Sequence, residues 1–306
     1  MNGLEAFLLT VIAASTPLLL AAVGELVVER AGVLNLGVEG MMAIGAVVAF
    51  AVALGTGSPL LGAVAGALAG AAVALPFVFL TQVLAANQVA SGLALALFGL
   101  GLSGLIGESF VGQPGVRLAR LHIPGLSDLP FIGPVLFGHD VLVYFSFLMT
   151  AAVAWLLFHT RWGLILRAVG TNHHAAHALG HPVRRVRTLA ILFGGLMAGL
   201  AGAYLSVSYT PQWVEDMTAG RGWIALALVV FATWRPWRVL AGAYLFGAVW
   251  ILGLYAQAAG YGLPPQFLTA LPYLATIVAL VLISRNRTLT LMNTPAMIGQ
   301  PFMPER

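Results

Sequence analysis

Long apolar runs decide what this chain can fold into. They lie at about 5–28, 33–54, 59–81, 88–107, 140–159, 188–208, 238–257 and 266–284, with a shorter one at 222–234. A helix needs roughly 20 apolar residues to cross the hydrocarbon core of a bilayer. In lipid every backbone N–H and C=O must find its partner inside the protein, so runs of this kind become helices. The expected fold is all-α, a polytopic transmembrane helix bundle of about 8–10 spans. Only 8% of the 306 residues are charged, against about 25% in soluble domains. The polar stretches between runs are short, so one membrane domain over 1–306 is expected, with no soluble domain left over. The short run at 222–234 reads as a half-helix preceded by a re-entrant piece at 210–221, which holds Pro211 and Gly220.

What the chain lacks excludes several functions. It has no lysine and no GxxxxGK[ST] loop, so nucleotide hydrolysis must sit on another polypeptide. It has no cysteine, so disulfides, thiolate metal sites and redox motifs are excluded. No cofactor is expected on this chain. The start, MNGLEAFLLTVIAAS, has no basic region and reads as the first span rather than a cleaved signal. All 14 basic residues are arginine. In a membrane protein their placement reports loop orientation, not nucleic-acid binding.

Nine spans put the two termini on opposite sides. With the C-terminus inside, Arg30, Arg161, Arg167, Arg184, Arg185, Arg187, Arg235, Arg238, Arg285, Arg287 and Arg306 are cytoplasmic. Only Arg117, Arg120 and Arg221 then fall outside. This obeys the positive-inside rule, and the reverse orientation violates it. The N-terminus and an extracytoplasmic loop at about 108–139 are therefore expected outside, and a loop at about 160–187 inside.

That inner loop belongs to a polar island, His159–Arg187, which holds five of the seven histidines and no acid. His173, His177 and His181 fall at i, i+4, i+8 and suggest a metal site. No carboxylate or thiolate accompanies them, and Pro182 ends the helix, so no metal is expected. The stretch 171–181 reads better as a short amphipathic helix. Asn172 resembles its N-cap, Ala175, Ala176, Ala178 and Leu179 form a small apolar side, and Gly180-His-Pro stops it. Small residues on one side suit docking into a partner's groove.

Ionisable groups at membrane depth are costly and are functional candidates by default. ELVVERAGVLNLGVEG (25–40) contains Glu25, Glu29, Arg30, Asn35 and Glu39, with Arg30 placed to neutralise one of the first two acids. It reads either as a broken helix start along a translocation path or as an interfacial turn that only stabilises the fold. Asn87 and Gln88 pose the same choice between pathway and helix cap. Outside, Trp213, Glu215, Asp216 and Arg221 either meet a delivered substrate or form an ordinary interfacial belt.

Three blocks resemble one family. ERAGVLNLGVEGMMAIGA (29–46), LRAVGTNHHAAHALG (166–180) and GRGWIALALVVFATWRPWRVLAGAYLFGA (220–248) are similar to the membrane subunits of bacterial ABC importers for nucleosides, simple sugars and branched-chain amino acids. The likeness covers nearly the whole chain and is nearest to nucleoside permeases that work with basic-membrane-lipoprotein receptors. It implies a type II ABC importer-like permease in the cell (inner) membrane, with no catalysis of its own. It also implies that the inner loop is an ATPase-coupling loop, with Arg167, Gly170, Asn172, Ala175, Ala176 and Gly180 matching the family pattern. His173, His174 and His177 fill variable positions of that pattern. The implied partners are ABC ATPase subunits, a second, related permease in a heterodimer, and an extracytoplasmic substrate-binding lipoprotein. The expected function is import of a nucleoside, or a related simple sugar, by alternating access. Asn35, Glu39, Asn87 and Gln88 are the pathway candidates. The competing readings are an ion- or proton-coupled secondary transporter, using Glu25, Glu29 and Glu39, and a membrane-embedded enzyme.

Overall fold

The computed structural model describes residues 3–259 and 293–303, with scattered positions between 264 and 281. Among these the chain forms helices and turns with no strand beyond an isolated bridge between Arg120 and Asp140. The helices are α1 (Gly3–Arg30), α2 (Val38–Thr56), α3 (Pro59–Val78), α4 (Gln88–Gly107), α5 (Ile132–Phe137) and α6 (Val141–His159). They continue with α7 (Arg161–Thr171), α8 (His173–Ala178), α9 (Val183–Tyr204), α10 (Arg221–Phe231) and α11 (Pro236–Ala258). Wider π turns extend α3 over Phe79–Val83 and α9 over Leu205–Tyr209. Seven of the described helices are long and apolar enough to cross a membrane: α1, α2, α3, α4, α6, α9 and α11. The short run is α10, whose 11 residues span about 16 Å, roughly half a hydrocarbon core. The expected span at 266–284 lies largely outside the described residues.

Helix starts follow local chemistry. Ser58, Asn87, Asp140, Thr160 and Asn172 each accept a backbone N–H of the first turn, and Pro59 occupies the first helical position of α3. In lipid apolar burial does not drive helices together, so close backbone packing must. Glycines on the facing helices supply it. A side chain at Gly66 would run into Gly45 of α2, one at Gly70 into Gly195 and Gly199 of α9, and one at Gly99 into Gly40. Helices α1, α2, α3 and α9 form the centre, where Leu19, Leu26, Met41, Ile191 and Met197 are fully buried.

The contacts also fix helix directions. Gly24 meets Gly194 and Met197 while Ala31 meets Arg187, so α1 and α9 are antiparallel. Gly40 lies beside Leu95, and Ser103 Oγ donates to Ala43 O at 2.9 Å, so α2 and α4 run together. One face of the bundle therefore gathers the end of α1, the start of α4, α7, α8, the start of α9, the end of α10 and residues 293–303. Arg30, Arg161, Arg167, Arg184, Arg185, Arg187, Arg235 and Arg238 all belong to it, and we call it the basic face. Arg117 and Arg120 lie at the opposite end, beside the first turns of α1.

Candidate functional site

On the basic face the polar island becomes two helices with a joint. Thr160 Oγ1 accepts Gly163 N at 3.1 Å and starts α7. Asn172 ends α7 and starts α8, its Oδ1 accepting Ala175 N at 2.9 Å. Gly180 takes φ +86°, a left-handed conformation, and releases the chain into α9.

The six residues matched by the family pattern take different positions. Gly170 is buried against the end of α1: a Cβ there would strike Arg30 O, and Met297 N donates to its carbonyl at 2.9 Å. Ala176 is also buried. Arg167 is half-buried with its guanidinium over the Phe158 ring, 5.2 Å from the centroid. Asn172, Ala175 and Gly180 are exposed, as are His174, His177, Ala178 and Leu179. The outward surface of α8 is thus made by Ala175, Ala178 and Leu179 with two histidines, while Gly170 and Ala176 hold the loop to the bundle.

The hub of this face is a residue that sequence reasoning counted only as basic. Arg187 is fully buried. It donates to Ala31 O at 3.2 Å and Gln300 O at 2.9 Å, and its Nη2 lies 2.9 Å from His173 Nδ1. That contact needs His173 as an unprotonated acceptor. Burial, with Arg187 and His174 adding to it, pushes His173 down to about 4. The Phe302 ring closes the cluster, 5.2 Å from His173 and 5.3 Å from His177. The spacing that suggested a chelating face therefore does not produce one: His173 turns inward to Arg187 while His177 stays on the surface.

Deeper in the bundle, two helices start below the surface. Gly40 lies against Leu95 and Ala96 of α4. Those residues sit about 10 Å along α4 from its start, at 1.5 Å per residue. Helix α2 therefore begins inside the bundle, after the turn at 31–37 in which Gly32 has φ +81°. Glu39, in the first turn of α2, accepts Gly220 N at 2.8 Å and Gly222 N at 2.5 Å. Its carboxylate thus caps α10, where unsatisfied N–H groups and the helix dipole favour an anion. A side chain at Gly222 would collide with Glu39. Two broken helices meet head to head on one carboxylate.

The other expected pathway residues are held by the fold. Asn35 is buried, accepting Gly37 N at 2.9 Å. Gln88 accepts Leu34 N at 2.9 Å and donates to Gln300 O at 3.3 Å. Asn87 is exposed and caps α4 by accepting Ala90 N at 3.0 Å. Arg30 is not within ion-pair distance of Glu25 or Glu29. It donates instead to Trp234 O at 2.7 and 3.1 Å and to Asn293 O at 3.1 Å. Trp234 Nε1 in turn donates to Glu29 Oε2 at 2.6 Å. Thr233 and Trp234 both have positive φ, 48° and 52°, a strained pair after the end of α10 in which Trp234 is bonded to α1 and Thr233 Oγ1 accepts from Arg238. Glu25 Oε2 is buried with no hydrogen-bond partner.

At the opposite end, a cavity of about 200 Å³ is lined by Thr10, Arg117, Arg120, His139, Asp140 and Tyr204 among others. Asp140 is tied down there, accepting Leu142 N and Val143 N as the cap of α6 and Ser208 Oγ at 2.6 Å. Trp213 is buried against Gly107, and Arg221 stacks over Trp250, 4.9 Å from its centroid. Among the described residues no group of three His, Asp or Glu converges as a metal site would require.

Comparison with known proteins places this arrangement. The family of branched-chain amino acid transport system permease components matches residues 7–283. The chain belongs to that family. It is 42% identical over 289 residues to a putative glucose ABC transporter permease of Haloferax volcanii, covering 87% of this chain and 88% of that one. It is 32% identical to a nucleoside ABC transporter permease of Lactococcus lactis, covering 92% and 93%. It is 31% identical to a guanosine ABC transporter permease of Bacillus subtilis, covering 87% and 88%. No solved structure matches it. The protein is a multi-pass membrane permease of an ABC transporter.

Proposed function

We propose that this permease is the membrane subunit of an ATP-driven importer for a nucleoside, or a related simple sugar, and that the basic face lies in the cytoplasm. The relatives named for nucleoside and guanosine transport support the first substrate class, and the one named for glucose supports the second. The observation that carries the reading is the two-sided build of the α7–α8 loop. Its inner residues, Gly170, His173 and Ala176, are packed onto the bundle, while Ala175 and Ala178 of α8 and Leu179 just beyond it face away from it. A surface that is firmly backed and carries small apolar residues beside two histidines on its free side suits a groove on an ATPase subunit.

The mechanical consequence follows from the bonds behind the loop. A push on α8 reaches Arg187, then Ala31 and Gly32, then the turn at Asn35, and finally Glu39 with the start of α10. Closing of the ATPase would thereby shift the two broken helices against each other and change which side the pathway faces. The permease makes and breaks no bonds itself. A second, related permease, an extracytoplasmic receptor lipoprotein and ATPase subunits complete the assembly in this reading, with no cofactor on this chain. Vesicles holding the whole complex are expected to take up radiolabelled nucleoside only with ATP. Uptake that persists without the ATPase subunit, or that follows an ion gradient, overturns the proposal. ATP-dependent uptake of a sugar in place of nucleoside overturns only the substrate class.

A further inference from the structure

We propose that the groove between α6, α7 and α9 holds an acyl chain of an anionic phospholipid, with its phosphate on Arg161 and Arg185. The groove encloses about 300 Å³, and its lining is apolar throughout, including Met149, Leu156, Trp162, Leu166, Leu189 and Phe193. Leu156 lies three residues before the end of α6, and Met149 seven residues deeper. The groove thus runs about 10 Å inward from the basic face, at 1.5 Å per residue, along the direction of a lipid chain.

Its mouth carries charge of one sign. Arg161 directly precedes Trp162, and Arg185 sits one helical turn before Leu189 on the same side of α9. Arg161, Arg184 and Arg185 are exposed, and their guanidinium groups make no hydrogen bond or ion pair to the described residues. No acid lies anywhere in His159–Arg187. Trp162 is 68% exposed at the rim, where tryptophan settles at headgroup depth. An apolar slot under a free cationic rim fits a molecule with an anionic head and an apolar tail. A second membrane helix fits less well, because a groove two turns long is a small part of a helix crossing. One wall is α7, whose last residue abuts the Asn172 cap of α8, so the lipid would also seat the coupling loop. The proposal rests on the membrane reading alone and not on the substrate or the ATPase.

The chain has no native cysteine, so Leu189→Cys introduces the sole thiol of this subunit. The full complex, labelled there with a fluorescent maleimide, would be placed in nanodiscs containing lipids brominated on their chains. Brominated phosphatidylglycerol is expected to quench more strongly than brominated phosphatidylcholine at equal mole fraction, the preference being about fivefold per arginine in reach of the headgroup. Arg161→Gln with Arg185→Gln should abolish the preference. Ala152→Phe, at an exposed position of the lining, should weaken quenching by both lipids. Equal quenching by the two lipids with the arginines intact overturns the proposal. High-yield cross-linking of the introduced thiol to another subunit also overturns it, because a protein helix then fills the groove.

Discussion

Two backbone N–H groups at the start of α10 end on the carboxylate of Glu39, 181 and 183 residues away in the chain. A charged acceptor at a helix N-terminus is worth more than a neutral one, by about 1–2 kcal/mol. Glu39→Gln is therefore expected to lower the thermal unfolding midpoint of the detergent-solubilised complex by a few degrees, and Glu39→Ala by more. An unchanged midpoint for both would remove Glu39 from this role. At the loop, position decides the outcome of substitution. Gly170→Leu forces a side chain into the Arg30 carbonyl, so loss of folded protein is expected, read as aggregation in size-exclusion chromatography. Ala175→Trp, on the outward surface, should leave the permease monodisperse but weaken ATPase co-purification. His173 adds a pH dependence with a definite sign. Its folded value near 4 lies below about 6.5 in an unfolded chain. Between these the unfolded loop binds a proton that the folded one refuses, so stability is full above about 6.5 and falls as pH drops towards 4. Hydrogen exchange across 165–180 should quicken from pH 7 to pH 5, after correction for the intrinsic rate. His173→Phe should flatten that change.

The elements show what a sequence of this kind makes legible. The long runs were readable because lipid demands length and apolarity from each helix by itself, so the seven that lie among the described residues reappear as helices within about five residues of their expected limits. Gly66 and Gly70 of α3 and Gly195 and Gly199 of α9 each recur after four residues, a spacing that by itself favours the close packing they make. The Asn172 cap and the Gly180 stop were readable because caps act over three or four residues. What was not readable depends on distant partners. Arg187 looked like one more surface arginine, yet it is buried by acceptors 156 and 113 residues away. Arg30 looked like a counter-ion for Glu25 or Glu29 but goes to the carbonyls of Trp234 and Asn293. The segment 293–303 carried no recognisable signal, although Asn293, Met297, Gln300 and Phe302 fasten α1, α7, α9 and α8 together. Because Phe302 is 4% exposed, Phe302→Ala should cost about 3 kcal/mol of local stability. Exchange at 173–179 is then expected to rise by about two orders of magnitude, at about 1.4 kcal/mol per factor of ten, with little change in α2 and α3. A uniform rise across the bundle would mean that the tail supports the whole fold and not the loop.

At the scale of the whole molecule, the question is whether the loop and the broken helices move as one body. Spatial continuity from α8 through Arg187 to Ala31, Asn35 and Glu39 does not prove energetic coupling, which needs a variant that breaks the link without breaking its ends. Arg187→Met is that variant. Methionine fills part of the buried volume with apolar atoms and leaves no uncompensated charge, so the cost is smaller than that of a stranded ion. It removes the bonds to Ala31 O, Gln300 O and His173 Nδ1 together. The outward residues Ala175, Ala178 and Leu179 are untouched, so ATPase binding should survive. In reconstituted vesicles the number of ATP molecules hydrolysed per solute imported is then expected to rise severalfold, with uptake falling and hydrolysis kept. Arg187→Lys, which retains a charge and can reach one carbonyl, should lie between. If Arg187→Met binds the ATPase and keeps the wild-type ratio, force reaches the broken helices by another route. The Gly170 contact with the end of α1 would then be the first place to look, because it joins the same two elements through backbone atoms alone.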